Sequence, residues 1–361
     1  MIDYNLIFSF ALAYLVTFAA MPIVRVLAFK MNAVDVPKDE RRMHKKPIPR
    51  WGGAAIYLGF IVSVACFTPI IDSQLVGVLI GSLVMVGIGI LDDKYALRAV
   101  VKLLGQCVAA IIVIAFGTRI NAFNGILEHL NNPQLTLWFS IIVTFVWIII
   151  VTNAINLIDG LDGLAASIAG ISALALVFIS IITGKYDMAI IFIAVAGACF
   201  GFLPFNSHPA KIFMGDSGAL FLGYILSTLS IRTFLNGYSV MSFIVPIIVL
   251  ALPIFDTSFA IIRRVYRHKG IMSADRGHLH HRLVDNGFTH KETVTILSTF
   301  TAMLSLTAII LVSKGINRAI VLIIAMALMA VCVKLYRENK DIAKIYIKEL
   351  QEQGSVDDEE N

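Results

Sequence analysis

The chain has 361 residues, 58% of them hydrophobic, a mean hydropathy of +0.85 and a formal net charge of +5. A soluble domain is usually about 45–50% apolar, so a single water-soluble core does not account for the excess. The apolar residues instead come in repeated blocks of about 20, the length that crosses a bilayer as a helix. The blocks lack the two-residue alternation of barrel strands, and in lipid only helices and closed barrels satisfy every backbone group. The fold class is therefore all-α, a polytopic integral membrane protein.

Eleven transmembrane spans are predicted in chain order, at 5–27, 51–71, 74–91, 99–116, 137–153, 163–182, 188–203, 217–235, 240–262, 293–313 and 317–335. No soluble-sized insert separates them. Residues 1–335 thus read as one transmembrane domain and 336–361 as a polar tail ending in Asp357–Glu360. The first block has no basic segment before it and is too long for the apolar part of a signal peptide, so no cleavable leader is expected. Cys66, Cys107, Cys199 and Cys332 each lie inside an apolar block with no CxxC pair, and read as small buried hydrophobes.

Charge sets the expected orientation. On this topology 24 of the 29 basic residues fall on one side, leaving only Arg119, Lys185, Arg232, Lys314 and Arg318 on the other. By the positive-inside rule the rich side is cytoplasmic, the N-terminus outside and the tail inside. The net positive charge is then a topology signal that also faces anionic lipid, and no nucleic-acid partner is expected.

Acidic residues near membrane depth cost about 2.5–3.5 kcal/mol each at a helix centre, so retained ones need a reason. Asp92, Asp93, Asp159, Asp162, Asp216 and Asp256 all fall at or near cytoplasmic span ends, and of eight histidines only His129 lies outside. Asp92 and Asp93 are adjacent and repel unless a cation or shared proton relieves them. A divalent metal with hard oxygen ligands would do so; the alternative is a solvated acid pair beside Lys94. In Asn153–Gly163, the residues Asn156, Asp159 and Asp162 recur at every third position and share a face if the segment is helical. That connection contains no Lys or Arg, so its carboxylates need metal, donor groups or water. Asp216 precedes a helix expected to start near Ser217, where free N–H groups favour anions. Asn206 offers an amide and Phe213 a stacking face. The loop 263–292 joins arginines with His278, His280 and His281, a mixture suited to pyrophosphate; it lacks the cysteine or HExxH pattern of a zinc site. Asp256 is either a site residue or an internal partner for an arginine.

These motifs, in this order, resemble those of the polyprenyl-phosphate N-acetylhexosamine-1-phosphate transferases. The resemblance rests on Asp92-Asp93, Asn153–Gly163, Asn206–Gly218, His278–His281 and the basic stretch His44–Gly53, and covers nearly the whole chain to about residue 335. His-Leu-His-His after Ala-Asp-Arg-Gly is similar to the branch that uses UDP-N-acetylglucosamine in wall teichoic acid, O-antigen or common-antigen synthesis. The peptidoglycan branch, which uses UDP-N-acetylmuramoyl-pentapeptide, typically carries three consecutive histidines. The resemblance implies a catalytic membrane domain in the bacterial inner membrane that faces the cytoplasm. It also implies undecaprenyl phosphate as acceptor, and magnesium, with manganese as a substitute; a homodimer is compatible with it. It implies Asp216 as metal ligand, with Asp92 and Asp93 near metal and lipid phosphate. Lys102 would hold a phosphate, and Asn156 and Asp159 would sit in the catalytic polar network. Asp162, Asn206 and Phe213 would shape a uridine pocket, with His278, His280 and His281 toward the sugar-pyrophosphate. Two rivals predict other features. An ion-coupled transporter predicts mid-span acids and inverted repeats. A CDP-alcohol phosphotransferase predicts a DGxxAR signature, which is absent after Asp159-Gly160 and after Asp162-Gly163.

Overall fold

The computed structural model describes residues 4–36, 47–121, 132–235, 240–268, 277–313 and most of 320–331. The polar tail, both ends of the span predicted at 317–335, His44 and the start of the basic motif lie outside the described residues. The described fold is helical: α1 (Tyr4–Lys30), α2 (Gly52–Phe67), α3 (Ser73–Tyr95), α4 (Ala99–Ala115), α5 (Pro133–Ile158), α6 (Leu164–Ile182), α7 (Tyr186–Asn206), α8 (Gly215–Ser230), α9 (Val240–Val249), α10 (Ala251–Tyr266), α11 (Leu279–Asp285) and α12 (His290–Val312). A two-residue antiparallel pair joins β1 (Val34–Asp35) to β2 (Ile48–Pro49), with Val34 opposite Pro49.

Six of these helices are long and apolar enough to cross a membrane, and α9 with α10 makes up to seven if that bent pair counts as one span. The spans expected at 51–71 and 99–116 fall on shorter apolar helices. That expected at 217–235 divides into α8 and a π-helical turn, Ile231–Leu235. The span expected at 240–262 breaks at Leu250, between Pro246 and Pro253, and its halves diverge by 83°. Proline removes an intrahelical donor and crowds the preceding turn, which locates the break.

The centre of the bundle is α8. Every residue from Ser217 to Ser230 is buried, and α2, α3 and α5 pack around it. Apolar burial gives little attraction between helices in lipid, so close backbone approach has to supply it. Small residues provide that approach. A Cβ on Gly89 or Gly81 of α3 would overlap Ser217 or the Tyr224 hydroxyl, and one on Gly223 would press on Thr152 of α5. The start of α2 is closer still: Gly53 N–H donates to Met214 O at 2.8 Å, and a Cβ on Gly53 would overlap the backbone of Gly218. These contacts fix where the first turn of α8, and therefore Asp216, sits.

Candidate active site

Helix ends converge at one end of the bundle. The C-terminal ends of α3, α5 and α7 meet the N-terminal ends of α8 and α12 and the β2 strand around a cavity of about 980 Å³. Asp93, Asn156, Asp159, Asp162, Asn206, Phe213, Asp216 and His281 all line it. The sequence thus places most of its candidates in one site.

A cation that, like Asp92, does not itself line the cavity is shared between Asp92 and the wall residue Asp216. Lys102 Nζ lies 2.7 Å from Asp216 Oδ2 and 3.1 Å from Asp92 Oδ2. The Asn156 side chain donates to the same Asp216 oxygen at 3.3 Å. Asp92 Oδ1 accepts the Leu97 N–H at 2.7 Å, where the chain leaves α3 through Ala96 in the left-handed region, φ 50°. Asp93 points the other way, to the first turn of α8, where its two oxygens accept the N–H groups of Asp216 and Ser217. The two adjacent aspartates therefore divide: one pairs with lysine, the other caps a helix whose dipole favours a negative charge.

The spacing argument for Asn156, Asp159 and Asp162 is corrected here. α5 ends at Ile158, Asp159 has a non-helical ψ of 50°, and the chain turns through Gly163 at φ 79° into α6. The three side chains reach the same cavity through a turn rather than along one helical face. Asp162 finds donors distant in sequence, His208 Nδ1 at 2.8 Å and Ala210 N–H at 3.1 Å. Asp159 accepts no hydrogen bond among the described residues. Burial, followed by the negative charges of Asp216, Asp93 and Asp162, pushes its carboxyl up to about 8. A carboxyl group so placed gains by meeting a cation. This all-oxygen, acid-rich donor set fits a hard divalent ion.

Asn206 lines the cavity, and the three histidines divide. Asn206 uses both ends of its amide on backbone, accepting Gly163 N–H at 2.8 Å and donating to Ile212 O at 3.0 Å. It ties the α5–α6 turn to the loop before α8. His278 is buried and bonded to Asp256 at 2.8 Å, while Asp256 Oδ1 accepts Leu279 N–H at the start of α11. His278, not an arginine, is thus the described partner of Asp256, and neither residue lines the cavity. His280 is also off the cavity wall, packed over Gly160, with both ring nitrogens lacking a hydrogen-bond partner among the described residues. Burial, and next the neighbouring His281, push it down to about 3, so it is neutral. Only His281 of the three lines the cavity.

The cavity wall adds residues that the sequence did not single out. His208 and His290 stack with centroids 4.3 Å apart. Arg50 sits on the rim, paired with Asp35 at 2.8 Å across the strand pair, and Arg25 and Lys211 add further positive charge. His208 lies inside the motif Asn206–Gly218 and Arg50 inside the basic stretch His44–Gly53, although the sequence assigns neither a role there.

A fold of apolar helices that gathers carboxylates and basic side chains at a common end around a cavity suits a membrane-embedded enzyme of phosphate chemistry, and comparison with known proteins agrees. The family profile of glycosyl transferase family 4 matches residues 75–234. A Bacillus subtilis relative, "probable undecaprenyl-phosphate N-acetylglucosaminyl 1-phosphate transferase", is 38% identical over 95% of this chain and 96% of its own. The decaprenyl-phosphate N-acetylglucosaminephosphotransferase of Mycobacterium leprae is 33% identical over 79% of this chain and 78% of its own. A phospho-N-acetylmuramoyl-pentapeptide-transferase of Caldicellulosiruptor bescii is 33% identical over 62% of this chain and 73% of its own. The chain belongs to glycosyl transferase family 4, among its polyprenyl-phosphate sugar-1-phosphate transferases.

Proposed function

We propose that the chain transfers N-acetylglucosamine-1-phosphate from UDP-N-acetylglucosamine to undecaprenyl phosphate. The products are UMP and N-acetylglucosaminyl-pyrophosphoryl-undecaprenol, the first lipid intermediate of a cell-envelope glycopolymer such as wall teichoic acid or O-antigen. The observation that carries this reading is Lys102 shared between Asp92 and Asp216 beside a cavity of about 980 Å³. The charge distribution supports eleven spans in the bacterial cell membrane, with the N-terminus outside and the cavity facing the cytoplasm, where nucleotide sugars are made. The broader match to the acetylglucosamine-using relatives supports that donor over the muramoyl-pentapeptide nucleotide.

In this reading an oxygen of the lipid phosphate attacks the phosphorus that bears the sugar. The bond from that phosphorus to the bridging oxygen breaks, and UMP leaves with the electron pair. Lipid phosphate is already ionised near neutral pH, so no strong base is required. Lys102 draws a phosphate toward the carboxylates, and the rim cations Arg25, Arg50 and Lys211 attract the pyrophosphate. Phe213 and Asp162 lie on the wall assigned to the nucleotide. Asp216 and Asp159 would hold Mg²⁺, or Mn²⁺ in its place, and that ion would supply charge neutralisation on the transferring phosphate. Both oxygens of Asp93 and both of Asp92 are already engaged as acceptors, which favours direct displacement over a phosphorylated aspartate.

The deciding experiment incubates purified protein with Mg²⁺, undecaprenyl phosphate and either labelled UDP-N-acetylglucosamine or labelled muramoyl-pentapeptide nucleotide. Lipid-linked label from the first donor is expected. Product from the second alone would reverse the substrate, and product from neither would overturn the reaction.

A further inference from the structure

Beside the acidic network, on a different part of the cavity wall, two imidazoles and a carboxylate meet. Asp162, His208 and His290 each offer one ligand atom, and those atoms all lie within 4.8 Å of one another. They come from three separate places: the α5–α6 turn, the loop after α7, and the first residue of α12. His208 Nδ1 and Asp162 Oδ2 are 2.8 Å apart. That is a direct hydrogen-bond contact; a tetrahedral ion with bonds of about 2.0–2.1 Å would hold the two atoms about 3.3–3.4 Å apart, an opening of about half an ångström. The ring of His290 stacks on that of His208. Neither of its nitrogens meets hydrogen-bond geometry with a described residue, although the ring lies beside the Asp162 backbone. A His–Asp ion pair would account for His208 and Asp162 but leave the position of His290 without a task.

We propose that Asp162, His208 and His290 form a second divalent-metal site, selective for a borderline ion such as Zn²⁺ or Co²⁺ and distinct from the hard-cation site at Asp216 and Asp159. The donor chemistry separates the two. Imidazole nitrogens suit zinc and cobalt, whereas magnesium prefers oxygen and keeps its waters. Three protein ligands with a face toward the cavity leave a position for water or for an anionic oxygen of a molecule in the cavity. The site's existence does not depend on which sugar nucleotide the enzyme uses. If Asp162 contributes to the nucleotide wall, a metal held there competes with the nucleotide or bridges to it.

The test uses the full-length protein in detergent with millimolar Mg²⁺ present throughout, titrated with Co²⁺ and followed by visible ligand-field absorption. One saturable equivalent is expected, displaced by Zn²⁺, lost in His208→Asn/His290→Gln and retained in Asp216→Asn. Absence of a saturable signal, or its persistence in the double variant, overturns the proposal; so does its loss in Asp216→Asn alone. Should the double variant not fold, X-ray absorption on zinc-loaded wild type decides. Two imidazole ligands with oxygen in the remaining shell support the site, and any shell without two imidazoles refutes it.

Discussion

Asp93, in the last turn of α3, accepts the backbone N–H groups of Asp216 and Ser217 at 2.8 and 3.2 Å. The first turn of α8 is thereby capped by a residue from another helix, and Asp216 is placed by the residue that caps it. A hydrogen bond to a charged group contributes about 1.5–3 kcal/mol, and a missing helix cap costs about 1. Asp93→Ala should lower the thermal unfolding midpoint and abolish turnover together, while Asp93→Asn, which keeps an acceptor, should recover part of the midpoint. A normal midpoint in Asp93→Ala would show that the cap is not needed.

Lys102 and Asp216 form the core of the proposed phosphate site. Asp216→Asn keeps the size of the side chain and removes its charge; the protein should still insert and fold while kcat falls by about 10²–10³ or more, the scale of losing one electrostatic contact in a site of this kind. Lys102→Met should lose turnover to a similar degree and should not be rescued by raising Mg²⁺. Near-normal turnover in Asp216→Asn would remove this residue from metal binding.

Asn206 sets apart two roles that the sequence could not separate. Its amide satisfies one N–H and one C=O of backbone, and it is 3% exposed. Asn206→Ala leaves those groups unpaired at about 1–3 kcal/mol each. Loss of stability should therefore appear before any change in nucleotide KM. A variant as stable as wild type but with raised KM would make the residue a direct nucleotide contact instead.

The helices were readable because an apolar run of bilayer length means the same thing wherever it occurs, although only six of the described ones, or seven with the bent pair, are long and apolar enough to cross a membrane. The one-ended gathering of acids was readable too, since charge bias gives each helix a direction. What could not be read is pairing across helices. The division of labour between Asp92 and Asp93 depends on contacts with α4 and α8, partners distant in sequence. Asp256 looked as if it could serve an arginine, yet it holds His278, 22 residues further along the chain. His208 and His290 carry no shared motif, and only the bundle brings them together. The three-residue spacing at 156–162 misled about local shape, because Gly160 and Gly163 permit a turn that the periodicity does not reveal.

Gly53 tests the central packing without touching the chemistry. A side chain there would overlap the backbone of Gly218, and neither backbone is free to move, since Gly53 N–H is bonded to Met214 O. Gly53→Ala should destabilise by about 1–3 kcal/mol through overpacking and shift α8, reducing folded yield in detergent. Wild-type yield and turnover in this variant would mean that the two helices have room to separate.

His280 supplies a pH prediction. It is 2% exposed, without hydrogen-bond partners among the described residues, and burial and His281 push it down to about 3. An unfolded histidine takes a proton near pH 6.5, while this one stays neutral in the folded protein until about pH 3. Between those values the unfolded state binds more protons, so stability rises with pH across the window. The contribution is fully present above about pH 6.5 and is lost progressively as pH falls toward 3. Against His280→Leu, which cannot titrate, the wild-type unfolding midpoint should therefore decline faster below pH 6.5, the two curves running parallel above it. Parallel curves down to pH 4.5 would mean that the ring is already hydrated or paired in the native state, and His280 would then be available to the cavity after all.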